Sequence, residues 1–202
     1  MKKLKYAILV GIIFYFLYSC LRALTIGGPS MSPTLLWNDF VISNQVAYDF
    51  RFPFTNSVLY KHSDPNRGDV VVYFDNNKNS LAVKRVIGLP GDKIEIKGNQ
   101  IFVNEVSIKQ KKLERNLFDG IPPENGIGEL VLQEELDGKK YLVTFSSDLS
   151  ELSTINLVEV TSAHYFILGD HRYNSADSRY IGLISRNQIK GRIIYGLREY
   201  NL

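Results

Sequence analysis

The sequence predicts a mainly β protein, an antiparallel β sandwich or barrel with an inserted subdomain, set behind an N-terminal transmembrane helix. Three observations predict it. Short β-prone runs recur without long helical patterns between them, the texture turns charged and polar between about 109 and 160, and lysines followed by an apolar run precede the first of the strands. The expected organisation is an anchor over 1–26, a discontinuous β domain over 27–108 and 161–202, and an insertion over 109–160. With 202 residues, 45% of them hydrophobic, the chain can bury one core.

Lys2, Lys3 and Lys5 precede a largely apolar run from Tyr6 to Leu21, and after Arg22 the apolar character resumes through Ile26. A spanning helix needs about 20 residues, and a snorkelling Arg22 extends the run to that length. No small-x-small site follows, so a cleavable secretory signal fits less well. Leu17-Tyr18-Ser19-Cys20 loosely matches a lipobox, with bulky Tyr18 against it. The positive-inside rule keeps the lysines cytoplasmic and puts the rest beyond the membrane, so a single-pass protein of the cytoplasmic (inner) membrane, in contact with lipid, is expected. Cys20 is the single cysteine and rules out an internal disulfide. A net charge of +3, without a basic block or a nucleic-acid motif, sets nucleic acid aside as a partner.

The strands follow in order. Phe40 to Ser43 is short and β-prone, and Asp69 to Phe74 is a Val/Tyr/Phe run opened by a turn at Arg67-Gly68. Ser80 to Ile87 is a strand closed by the turn at Gly88-Leu89-Pro90-Gly91-Asp92. Lys93–Lys97 and Gln100–Val103 flank Gly98-Asn99 and predict a hairpin. After the 109–160 stretch, with turns around Pro122-Pro123, the β pattern returns at His164–Leu168. Tyr48, Phe50, Phe52 and Phe54 are aromatic at every second position, which on a strand makes one face, either core or an edge resting on the membrane.

Two residues could carry chemistry. Ser30 lies in the Gly/Pro-rich loop Gly27–Thr34, where an isolated serine is ordinarily a turn residue. Lys84 has Ala82 and Val86 as same-face neighbours on its strand, while Arg85 points the other way. An ordinary strand lysine lies along the surface, but one buried against apolar groups loses its preference for the charged form. A weakly nucleophilic serine needs such a neighbouring base, and Ser/Lys pairs are a known arrangement. The rivals are His62, His164 and His171. His171 adjoins Asp170 and could approach Ser175, but no spacing supports a histidine triad, and no zinc spacing or other metal motif is present.

Four segments, in order behind the apolar run, resemble the boxes of bacterial type I signal peptidases: Gly28-Pro29-Ser30-Met31-Ser32-Pro33-Thr34-Leu35, Arg67-Gly68-Asp69-Val70-Val71-Val72-Tyr73, Lys84-Arg85-Val86-Ile87-Gly88-Leu89-Pro90-Gly91-Asp92, and Gly169 to Arg179. The resemblance implies a cofactor-free serine endopeptidase that removes signal peptides from exported precursors through an acyl-enzyme. It implies Ser30 as nucleophile, Lys84 as general base, Ser175 holding the lysine amine, and Met31, Asp170, Asp177 and Arg179 as supporting residues. Two departures stand out. Gly28 occupies a position where many relatives carry an oxyanion-hole serine, and His171 and Tyr173 replace the usual asparagine and aspartate. A specialised relative that processes a few secretion or conjugation precursors fits equally well. From another class, a membrane-tethered adhesion module would rest on Arg67-Gly68-Asp69.

Overall fold

Turn residues and apolar runs divide the chain, in a computed structural model, into short strands over the described residues 20–51, 57–146 and 154–198, with residues 3, 6, 10 and 11 also described. In chain order these strands are β1 (Leu21–Thr25), β2 (Phe40–Asn44), β3 (Asp49–Arg51), β4 (Val58–Lys61), β5 (Val70–Asp75), β6 (Ser80–Gly88), β7 (Lys93–Lys97), β8 (Gln100–Val103), β9 (Val106–Ser107), β10 (Lys109–Leu113), β11 (Leu130–Leu136), β12 (Lys139–Phe145), β13 (Thr154–Glu159), β14 (His164–Leu168), β15 (Ile184–Ser185) and β16 (Ile189–Tyr195). One short helix, α1 (Ser178–Ile181), follows β14.

The pairing is antiparallel between these strands, as expected, but among the described residues the principal sheet does not close into a barrel. It is seven-stranded in the order β1-β2-β16-β5-β6-β14-β15, so β1 and β15 are its two edges. Separate sheets are formed by β10-β11-β12, by β13-β7-β8-β9 and by β3-β4. Apolar clusters cover both faces of the middle strands. Val71 and Tyr73 of β5 join one cluster with Val86, Tyr165 and Ile167, while Val70 and Val72 join another with Ile26, Met31, Leu35 and Val41. This two-sided burial explains why β5 reads as an unbroken apolar run and not as an alternating one. Ile87 and Phe166 face a third cluster, which takes in Ile94 and Ile101 of the β7–β8 hairpin, Leu132 and Val143 of β11–β12, and Val160. The 109–160 stretch thus shares its core with the flanking strands, and β13 pairs directly with β7.

The expected anchor is shortened at its end. Leu21–Thr25 pairs antiparallel with Phe40–Asn44, and Leu24 and Ile26, at strand spacing, pack into the cluster around Val41. The brief apolar run after Arg22 therefore serves a sheet edge and does not extend a helix. Most of the preceding run, with Leu17, Tyr18 and Ser19, lies outside the described residues, among which no helix is long and apolar enough to cross a membrane. Phe52 and Phe54 also lie outside them. The two described members of that aromatic series part company: Tyr48 is buried, whereas Phe50 is exposed and leans on His62 with ring centroids 5.1 Å apart.

Candidate active site

Ser30 sits in a single 3-10 turn, Pro29–Met31, that follows extended Gly28; the fixed φ of Pro29 suits the first turn position. Met31 is buried in the cluster beneath the turn and fixes its height above the sheet. Lys84 projects from β6, opposite Val71 of β5. Its Nζ lies 2.8 Å from Ser30 Oγ and donates a second hydrogen bond to the Val83 carbonyl at 2.9 Å. Only 4% of the lysine is exposed. Burial is the largest influence on its amine, reinforced by nearby Lys78 and opposed by Asp177, Asp170 and Asp75; together they bring it from 10.5 down to about 8. A lysine that is half neutral near pH 8 and touches a serine hydroxyl can take that hydroxyl's proton.

The segment from Gly169 to Arg179 completes the surroundings. Gly169 passes so close to the Ser30 carbonyl and the Ser175 side chain that an added Cβ would collide with both. The next residue's neighbour continues the contact, with the His171 N–H donating to the Ser30 carbonyl at 3.1 Å. Ser175 lines the same cleft as Ser30 and Lys84, and its buried hydroxyl has no hydrogen-bond partner among the described residues; the Lys84 amine donates to the Val83 carbonyl and lies against Ser30. Asp170 receives the Arg85 guanidinium on both oxygens, at 2.8 and 2.6 Å, and the Thr34 hydroxyl as well. Arg85 also donates to the Gly68 carbonyl, so one buried ion pair ties the loop after Ser30, the β5 entry and the Gly169 segment together. Asp177 caps α1, accepts the Gly169 N–H at 2.9 Å and pairs with Arg179. Arg85, Thr34 and Gly169 were not singled out in the sequence, because each acts through partners far along the chain.

The histidines are occupied elsewhere. The Asn174 N–H donates to His171 Nδ1 at 3.0 Å, which leaves Nε2 as the protonated nitrogen, donating to the Gly126 carbonyl. Burial lowers the His171 pKa and favours this neutral ring. Asp170, its sequence neighbour, faces Arg85. His62 Nε2 contacts the Val46 carbonyl, and His164 Nδ1 contacts Thr161 and Ser162. Tyr173 donates to Asn99 at the β7–β8 turn. Among the described residues no cluster of His, Cys, Asp or Glu could hold a metal ion. The tripeptide Arg67-Gly68-Asp69 is not displayed for adhesion: Arg67 is paired with Asp92 and Asp137, and Asp69 is buried against Tyr48 and Lys139.

A cleft of about 560 Å³ opens onto the pair, and Leu24–Gly28 and Ser80–Val83 are among its lining residues. The sequence model of the family described as "Signal peptidase, peptidase S26" matches residues 2–196. The chain belongs to this family. Among curated relatives, "Signal peptidase I" of Buchnera aphidicola subsp. Baizongia pistaciae is 30% identical across 82% of this chain and 66% of its own length. "Signal peptidase I" of Pseudomonas fluorescens is 34% identical across 75% of this chain and 52% of its own length. The chain therefore spans between about half and two thirds of these relatives. A solved signal peptidase I from Enterococcus faecalis aligns with 65% of this chain and 98% of its own at 25% identity, with a TM-score of 0.40.

Proposed function

We propose that the chain is a serine endopeptidase that removes signal peptides from exported precursor proteins, with Ser30 as nucleophile, Lys84 as general base and no cofactor. The observation that carries this reading is the 2.8 Å contact between a serine hydroxyl and a buried lysine amine brought down to about 8. In the reactive form the amine is neutral and the contact reverses, the hydroxyl donating to the nitrogen lone pair. Ser30 Oγ attacks the scissile carbonyl carbon and its proton passes to Lys84. Collapse of the tetrahedral species expels the amine, which takes the proton from the lysine, and leaves an ester on Ser30. Water then attacks the ester with Lys84 again as base, and the serine is released. Gly28 offers no hydroxyl, so the Ser30 backbone N–H is the proposed donor to the developing oxyanion. The Ser175 hydroxyl, without a partner among the described residues, is proposed to hold the neutral amine.

The cleft suits an extended peptide. Ser80–Lys84 are paired with β5 along one edge, while β14 pairs with β6 only at Arg85, Val86 and Gly88. Among the described residues the other edge of Ser80–Lys84 is thus open toward the cleft, and an incoming strand can add to it by main-chain hydrogen bonds. Family resemblance supports small side chains at the first and third positions before the cut. The lysines and apolar run ahead of β1 support a membrane-held protein of the inner membrane, with its catalytic domain on the extracytoplasmic face, beside substrates tethered by their own apolar segments. The test is cleavage of a peptide with an Ala-x-Ala site by the purified chain and by Ser30→Ala. Cleavage abolished in Ser30→Ala with an unchanged melting midpoint is expected; near-normal turnover in that variant refutes the reading.

A further inference from the structure

The 109–160 stretch does more than fill a core, because it holds the segment that touches Ser30. The Thr144 N–H, on β12, donates to the Asp170 carbonyl, and the Arg172 N–H donates back to the Thr144 carbonyl, both at 2.9 Å. Between these two bonds lies His171, whose own N–H holds the Ser30 carbonyl. The Arg172 side chain then runs into the inserted sheet and grips both carboxylate oxygens of Glu134 on β11, with an Nη1 to Oε1 distance of 2.9 Å. The two side chains are 3% and 0% exposed, and Gln110 of β10 donates to the same carboxylate. A buried pair of this kind is a poor source of stability, since desolvation offsets much of its attraction; what it supplies is a fixed direction.

We propose that the Arg172–Glu134 pair is a positioning device, through which the inserted β10–β12 sheet sets the height of the Gly169–Ser175 segment and hence the placement of Ser30 against Lys84. This rests on the peptidase reading above. Loosening the pair lets the segment lift from the Ser30 carbonyl and admits water to the Lys84 amine, now held down by burial and facing Asp177, Lys78, Asp170 and Asp75.

Two variants of the whole chain test it. Glu134→Gln keeps the shape but removes the counter-charge, whereas Glu134→Leu with Arg172→Met removes both charges, an exchange that is often neutral or stabilising at buried pairs. The melting midpoint is measured, together with the pH at which Lys84 becomes half-reactive toward acetic anhydride, read by mass spectrometry of its peptide without any turnover. The double variant should melt like the parent, yet its Lys84 midpoint should rise by about one pH unit and kcat on an Ala-x-Ala peptide should fall about 10- to 100-fold. A parental Lys84 midpoint in either folded variant overturns the proposal, and so does failure of both variants to fold, which would assign the pair to stability alone. If the parent cleaves nothing but its Lys84 midpoint still responds to the variants, the peptidase reading falls and the positioning inference stands.

Discussion

Replacing Gly169 by alanine puts one methyl group where three atoms already crowd. The ideal Cβ would lie well under 3.0 Å from the Ser175 hydroxyl, the Ser175 Cβ and the Ser30 carbonyl oxygen, closer than real Cβ atoms come. The Ser175 side chain can rotate, but the Ser30 oxygen belongs to the backbone and can move only with the Pro29–Met31 turn. Restoring ordinary contact requires a displacement of about 1 Å, which for reacting groups costs about 100-fold in rate. Overpacking itself costs about 1–3 kcal/mol, and the rigid neighbour puts Gly169→Ala at the upper end. The backbone at Gly169 is not in the left-handed region, so the effect is steric. Gly120→Ala, with nothing within 4 Å, is the control and should leave stability within about 1 kcal/mol of the parent. The assay is a denaturant melt of both variants with kcat on an Ala-x-Ala peptide. A Gly169→Ala protein with parental stability and kcat would refute the close packing of this segment against the Pro29–Met31 turn.

Lys84→Met should stabilise the protein at pH 7. A folded-state amine near 8 instead of 10.5 means that the folded chain binds fewer protons between those values. Stability of the parent therefore rises with pH across that window, and below about pH 8 the burial of the ammonium costs about 3 kcal/mol, which methionine removes. Melts at pH 7 and pH 11 check this, and an equal effect at both would contradict the depressed amine. Asp170→Asn should cost about 3–5 kcal/mol by leaving the Arg85 guanidinium buried without its counter-charge, and a shift under about 1 kcal/mol in a urea melt would contradict that. Ser175→Ala should leave the melting midpoint unchanged, because its hydroxyl has no partner among the described residues, while lowering kcat less than Lys84→Arg does; an unaltered kcat would remove it from the mechanism.

Much of the β framework was legible because local chemistry dictates it. Gly98-Asn99 fixes the β7–β8 hairpin, the Gly88–Asp92 turn ends β6, and the returning β pattern of His164–Leu168 is β14 as read. The apolar neighbours expected beside Lys84 also hold, with Val86 fully buried and Ala82 partly so. Illegible were the features that depend on distant partners. Leu21–Thr25 is apolar enough for a helix or an edge strand, and only pairing with β2 decides between them. Strands β10–β13 carry their lysines and, apart from Glu134, their glutamates toward the surface, which hides their alternation in a charged composition. Nothing local marks Glu134 as buried, since a carboxylate goes inside only because Arg172, 38 positions away, comes to meet it. The Ser30–Lys84 pair itself was legible from the four boxes in order, whereas the bonds from Thr144 and Glu134 to the Asp170–Arg172 segment were not.

The central claim is that a neutral Lys84 takes the proton of Ser30, and the pH profile of kcat/KM tests it most directly, because its rising limb reports the base of the free enzyme. Cleavage of an Ala-x-Ala peptide should rise with an apparent pKa of about 8. Lys84→Arg, which keeps the charge but cannot deprotonate, should be inactive throughout, while singly changing His62, His164 and His171 to glutamine should leave the limb where it is. An active Lys84→Arg enzyme, with a limb that vanishes on replacing one histidine, would contradict the account.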